Sequence, residues 1–205
     1  MVDQDKEIET GASPYETAVG VDGPYASARR VVVRELDAML SHVDGQASAD
    51  LTTALRNSRR IFVAGAGRSK LSAEGFAMRL MHLGLCAHVV GDVTTPSIGP
   101  DDLLVVCSGS GETPTTVMTA KTAADAGARI AVVTANADSR LARRADLLIH
   151  LAEYGQDHEL GRSVQFVGTL FEQGALLFFD SLVLAYERLH EVDPREMLAL
   201  HTNLE

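Results

Sequence analysis

Apolar residues recur along this chain with two distinct periods. Between Tyr25 and His42 the spacing of Val32, Leu36, Met39 and Leu40, continued by Val43, predicts an amphipathic helix, and Asp44-Gly45 stops it. A second helix is predicted over 48–57 with Ser48 as its N-cap. The pattern then changes to short, continuous apolar runs separated by helical segments. Strands are predicted at Ile61–Ala64, Ala87–Val90, Leu103–Cys107, Arg129–Thr134 and Leu147–Leu151. Helices are predicted from Lys70 to Leu83, ended by Gly84, and from Pro114 to Ala126, ended by Gly127. A short helix is expected near Arg140, a long one over Val167–His190, and a short one opened by Asp193-Pro194.

Strands apolar along their whole length, alternating with helices, imply a parallel sheet covered on both faces. The expected architecture is a three-layer α/β/α sandwich with a five-stranded parallel sheet plus N-terminal helices. Residues 1–24 are acidic, polar and punctuated by Gly and Pro, and read as a flexible N-terminal segment; a short element docked on a neighbour is the alternative.

The 205 residues suffice for one domain with a substantial apolar core. The net charge of −10 argues against a nucleic-acid partner. No run approaches the ~18 apolar residues that a membrane span requires. The longest candidate, Phe166–Leu189, is interrupted by Glu172, Asp180, Glu187 and Arg188, and reads as a buried helix. Residues 1–12 lack the apolar run of a signal peptide. The two cysteines, Cys86 and Cys107, make no disulfide framework; as buried free thiols they point to a reducing, cytoplasmic location.

Chemistry is expected where the strands end. Ligands of open parallel sheets bind beyond the carboxyl ends of the strands. Two glycine-rich loops fall there: Gly65-Ala66-Gly67-Arg68-Ser69 and Ser108-Gly109-Ser110-Gly111-Glu112-Thr113, each between a strand and a helix. Glycines let backbone N–H groups approach an anion, and a helix N-terminus adds partial positive charge. Ser69, Ser108, Ser110 and Thr113 add hydroxyl donors without adding charge, so a phosphate fits despite the net charge. Two other readings exist. The first loop could be a dinucleotide fingerprint with Asp92 as ribose ligand, but Lys70 occupies the third glycine position and the second loop has no role in that scheme. Alternatively, both loops are only tight turns.

The run GAGRS, followed by AMRLMHLG, SGSGET, GTLFE and a His-x-x-Leu-Glu terminus, resembles the sugar-isomerase (SIS) domain, and within it the 6-phospho-3-hexuloisomerase family, over about residues 25–205. The resemblance implies a flavodoxin-like or Rossmann-like SIS fold. It also implies interconversion of D-arabino-3-hexulose 6-phosphate and D-fructose 6-phosphate through a 2,3-enediol, with no metal or other cofactor, as a step of formaldehyde fixation or pentose phosphate supply. Family members are typically tetramers with sites shared between subunits, so a homotetramer is expected. One departure is Lys70, where the family has a small residue; it either points outward as a solvated helix residue or reaches the phosphate.

Moving a ketone between C2 and C3 needs a base, a proton shuttle and donors for the enediolate. Glu172, in an apolar run at the start of the last long helix, is the expected base; its alternative is a carboxylate complementing the helix dipole. The resemblance makes His201 the proton shuttle, of its own or a neighbouring subunit's site, and places Arg68 against a sugar hydroxyl or the enediolate. Ser108, Ser110 and Thr113 are the expected phosphate ligands, with Ser69 and the glycines Gly67, Gly109 and Gly111 beside them. Glu112 would repel phosphate, so it is assigned to a sugar hydroxyl or an adjacent subunit. His82 reads as a packed helix residue and Cys107 as core, and His42, His88, His150, His158 and His190 show no metal-ligand spacing. The rivals are an isomerase of arabinose 5-phosphate or sedoheptulose 7-phosphate, and a non-catalytic phosphosugar sensor. Sensors usually carry a helix-turn-helix, and many arabinose 5-phosphate isomerases carry regulatory domains; the chain is expected to have room for neither.

Overall fold

The computed structural model describes residues 23–152 and 163–204. The predicted flexible segment falls almost wholly outside these residues, as does His158. Twelve elements follow in order: α1 (Pro24–Ser41), α2 (Gly45–Asn57), β1 (Ile61–Gly65), α3 (Gly67–His82), β2 (Ala87–Val89), β3 (Leu103–Cys107), α4 (Pro114–Asp125), β4 (Arg129–Thr134), a 3-10 turn (Ala142–Arg144), β5 (Leu147–His150), α5 (Thr169–Leu189) and α6 (Pro194–Ala199).

All five strands pair in parallel, in the order β2-β1-β3-β4-β5. This is the flavodoxin-like order, and it reverses direction between β1 and β3. The alternation of side chains along a strand divides the core in two. Ile61, Val63, Leu103, Val105 and Cys107 face a layer built from α1, α2, α3 and α5. Phe62, Ala64, Leu104, Val106 and Val132 face α4 and the connections around it. Because both faces are covered, the strands read as unbroken apolar runs rather than alternating ones.

Several boundaries differ from the sequence expectation. Ser48 does not cap α2; Asp44 does, accepting from the backbone N–H of Gln46 at 2.8 Å and of Ala47 at 3.4 Å. Helix α1 ends before the expected stop at Asp44-Gly45, with His42 as its C-cap, so Asp44 only starts α2. Helix α3 begins at Gly67, three residues before the expected Lys70, which puts Arg68 and Ser69 in its first turn. Near Arg140 only the 3-10 turn forms. Helix α5 is not buried all round: Leu176, Leu177, Leu184 and Leu189 are exposed. Cys107 is buried as expected, but Cys86 is exposed. Among the described residues no helix is long and apolar enough to cross a membrane.

Candidate active site

The two glycine loops leave β1 and β3, which are hydrogen-bonded neighbours at the point where strand order reverses. Neither helix that follows has a side-chain cap. The N-cap of α3 is Ala66, and Thr113 at the N-cap of α4 makes no capping bond. Both helix N-termini thus keep unspent backbone N–H groups aimed at one crevice.

The second loop is held in a single shape. Gly111 has φ +63, and a Cβ there would lie 2.0 Å from Ser139 Oγ, so a side chain is excluded by strain and by contact. Thr134 at the end of β4 donates from its hydroxyl to Gly109 O at 3.1 Å. Ser110 Oγ accepts from Glu112 N at 3.2 Å, and Asn136 Nδ2 donates to Ser110 O at 3.4 Å. Ser108 is buried, with its hydroxyl 3.4 Å from that of Thr113.

Helix α5 brings Glu172 into the same crevice. Arg68 Nη1 lies 2.9 Å from Glu172 Oε2, with the guanidinium about half exposed and the carboxylate 22% exposed. Ser72 on α3 donates to the backbone carbonyl of Glu172 at 3.1 Å. The preceding residue, Phe171, packs against Gly109. Glu172 also raises the Cys107 thiol, which burial and then the nearby carboxylate push up to about 12. Arg68, Glu172 and the loop 108–113 are therefore assembled, although 40 to 104 residues separate them in sequence.

Other residues take partners that the sequence did not reveal. The Glu112 carboxylate binds Arg140: it accepts from the Arg140 backbone N–H at 2.7 Å and pairs with the guanidinium, which also donates to Glu112 O at 2.8 Å. These bonds hold the Glu112 carboxyl below the usual carboxylate range. The Lys70 ammonium lies 3.4 Å from Glu74 Oε1, one turn further along α3. A Cβ on Gly65 would come within 2.9 Å of the Lys70 backbone, so the close strand–helix approach is made by Gly65 and not at the Lys70 position.

His201 is not assembled with these groups. It is exposed, and its ring stacks on that of His82, with centroids 5.3 Å apart and an interplanar angle of 12°. His82 ends α3 and Arg68 begins it, a separation of about 21 Å at 1.5 Å per residue. Within one chain the imidazole and the carboxylate therefore stand at opposite ends of the same helix.

Sequence reasoning missed the loop after β4, with Thr134, Asn136, Ser139 and Arg140. Its composition, Thr-Ala-Asn-Ala-Asp-Ser-Arg, is that of an ordinary turn. Only the neighbour relation of β4 to β3 places it under the second glycine loop. Glu35 was also missed. It is buried on α1 and accepts from Ser163 Oγ (2.8 Å), Val164 N (3.1 Å) and Gln165 Nε2 (2.8 Å), tying down the approach to α5.

Residues 54–176 match the SIS domain family. The chain is 42% identical over 198 residues to the 3-hexulose-6-phosphate isomerase of Mycobacterium gastri, covering 96% of this chain and all of that protein. It is 38% identical over 176 residues to the enzyme of the same name from Bacillus subtilis, covering 85% of this chain and 95% of that one. A Methanococcus jannaschii protein, whose crystal structure led to the inference of a 3-hexulose-6-phosphate isomerase function, superposes with a TM-score of 0.76 at 31% identity, over 87% of this chain and 99% of that one. This chain belongs to the SIS domain family, among the 3-hexulose-6-phosphate isomerases.

Proposed function

We propose that the protein interconverts D-arabino-3-hexulose 6-phosphate and D-fructose 6-phosphate by proton transfer. The observation that carries this reading is the Arg68–Glu172 pair, a partly buried carboxylate held between two uncapped helix N-termini. The relatives named above favour this hexulose phosphate over arabinose 5-phosphate or sedoheptulose 7-phosphate.

The substrate phosphate sits on the loop 108–113, taking backbone N–H groups around Gly109 and Gly111 and the hydroxyls of Ser108, Ser110 and Thr113. Gly67 and Ser69 line the opposite wall. Glu172 removes the proton from C3 of fructose 6-phosphate, and the electron pair moves into a C2–C3 double bond to give a 2,3-enediolate. Arg68 neutralises the developing oxygen charge. A hydroxyl proton passes from O3 to O2, and reprotonation at C2 leaves the ketone at C3. Atoms and electrons balance without an added cofactor. Glu112 acts through Arg140, fixing the loop after β4 rather than meeting the phosphate.

His201 fits the role of proton shuttle only in another subunit's site, given its distance from Glu172. The protein therefore acts as a homo-oligomer, a tetramer by analogy with the family, in which each site takes Glu172 from one chain and His201 from another. Leu71 and Met78, one heptad apart on α3, are exposed beside Leu176 of α5 and offer an apolar face for a second copy. Phosphorylated substrates and two free cysteines suit a cytoplasmic location.

The test is proton exchange on fructose 6-phosphate in heavy water, followed by NMR. The expected result is loss of the C3 proton signal and appearance of a second ketohexose phosphate. Glu172→Gln should abolish both while still binding the sugar. Exchange that persists in Glu172→Gln would remove Glu172 as the base. A domain that binds fructose 6-phosphate with no exchange at all would be a sensor. Mixing Glu172→Gln with His201→Ala subunits should restore about a quarter of wild-type activity if sites are shared in a closed oligomer. No recovery in mixed oligomers would refute sharing.

A further inference from the structure

His82 is 5% exposed, and its ring nitrogens make no hydrogen bond to another described residue. Its aromatic partner is the exposed His201, stacked nearly parallel at 5.3 Å. The C-terminal segment that carries His201 is otherwise lightly held. His201 N donates to Leu198 O at 3.2 Å, and the ring Nδ1 lies 3.2 Å from the next residue's carbonyl, Thr202 O. Neither contact fixes the ring against the body of the protein. The flat face of His82, rigid at the end of α3, is what sets the plane of the His201 ring.

We propose that His82 is a positioning residue for the isomerisation, holding the His201 imidazole by stacking so that its free edge is presented to a second subunit's site. This rests on the assignment of His201 as proton shuttle made above. The charged groups that bear on His82 among the described residues are His201 from the C-terminal segment and Arg79 from α3 itself. Burial first, and then His201 and Arg79, hold His82 below the usual histidine range. The His82 ring is thereby biased toward its neutral form. A neutral stacking platform orients the shuttle without competing for its proton.

Two apolar variants, one aromatic and one aliphatic, separate this role from simple packing. His82→Phe keeps an aromatic face and is expected to hold kcat within about threefold of wild type. His82→Leu fills the space without a face and is expected to lower kcat about tenfold or more, with KM within about twofold, as misplacement of a catalytic group does. Equal activity of His82→Leu and His82→Phe would overturn the proposal. A second readout, independent of turnover, is the NMR titration of the His201 ring. Coupling to His82 should be visible in the wild type and absent in His82→Phe, and identical curves would also overturn it. His201→Ala tells the two levels apart. If it is inactive while His82→Leu is unimpaired, only the stacking role fails; if it is fully active, the shuttle assignment fails first.

Discussion

The contact between Gly109 and Phe171 makes the phosphate loop and the candidate base one mechanical unit, and a single methyl group tests it. In Gly109→Ala the new Cβ would lie 2.9 Å from Phe171 Cδ1 and 3.2 Å from Cγ. Carbon atoms pack at about 3.5–4.0 Å, so the ring must retreat by about 0.6 Å. Phe171 is 1% exposed and has no path to solvent, and it sits in the first turn of α5 beside Glu172. The displacement therefore passes to the helix N-terminus and to the carboxylate. Overpacking of this kind costs about 1–3 kcal/mol, or roughly 2–10 °C in melting temperature for a chain of this size. A base displaced by a fraction of an ångström should lower kcat about ten- to a hundredfold. Steady-state isomerisation of fructose 6-phosphate and calorimetry supply the readouts. Adding Phe171→Leu to Gly109→Ala should recover much of the lost kcat, because the smaller side chain vacates the contested space. A Gly109→Ala protein with wild-type kcat would refute the mechanical coupling. A rise in KM alone would move the effect to the phosphate loop.

Two further outcomes follow from burial and charge. The fully buried Asp102 carboxylate accepts from Arg60 Nε (3.1 Å), Arg60 Nη2 (2.7 Å) and Gly99 N (2.8 Å), so Asp102→Ala leaves the Gly99 amide without its acceptor and the guanidinium with only Ser97 O (2.8 Å), and should cost about 1–3 kcal/mol in denaturant unfolding. Because hydrogen bonding from Arg60 lowers the folded-state carboxyl below its unfolded value, this stabilisation is present at neutral pH and is lost as pH falls below about 4; Asp102→Ala should lose less stability than wild type across that acid range. Cys86 should react with a thiol reagent in the native protein, while Cys107, buried and pushed up to about 12, should react only on unfolding; native labelling of both would contradict the packing of β3.

The order and kind of the elements were legible because they rest on local physics. Short continuous apolar runs between turn residues read as strands covered on both faces, and the two glycine loops follow β1 and β3, the strands that lead straight into α3 and α4. Helix boundaries were less legible. Asp44 caps α2 while α1 already ends at His42, and Gly67 enters α3 with a positive φ of +56, neither of which periodicity registers. Glu172 and Arg68 could each be singled out, Glu172 by its place in an apolar run, but their pairing with one another could not.

What the sequence determined by itself was the sheet, the two anion-ready loops and the residue types available to the chemistry, since these depend on neighbours a few positions away. Tertiary structure decided which of those residues meet. Packing of α3 against α5 brought Arg68 to Glu172, and strand order, with β4 beside β3, set Thr134 and Arg140 under the second loop. It also decided what cannot meet. A helix is a rigid rod with a fixed rise per residue, so α3 holds its two ends about 21 Å apart, and His201, stacked at the far end, is kept from the carboxylate of its own chain.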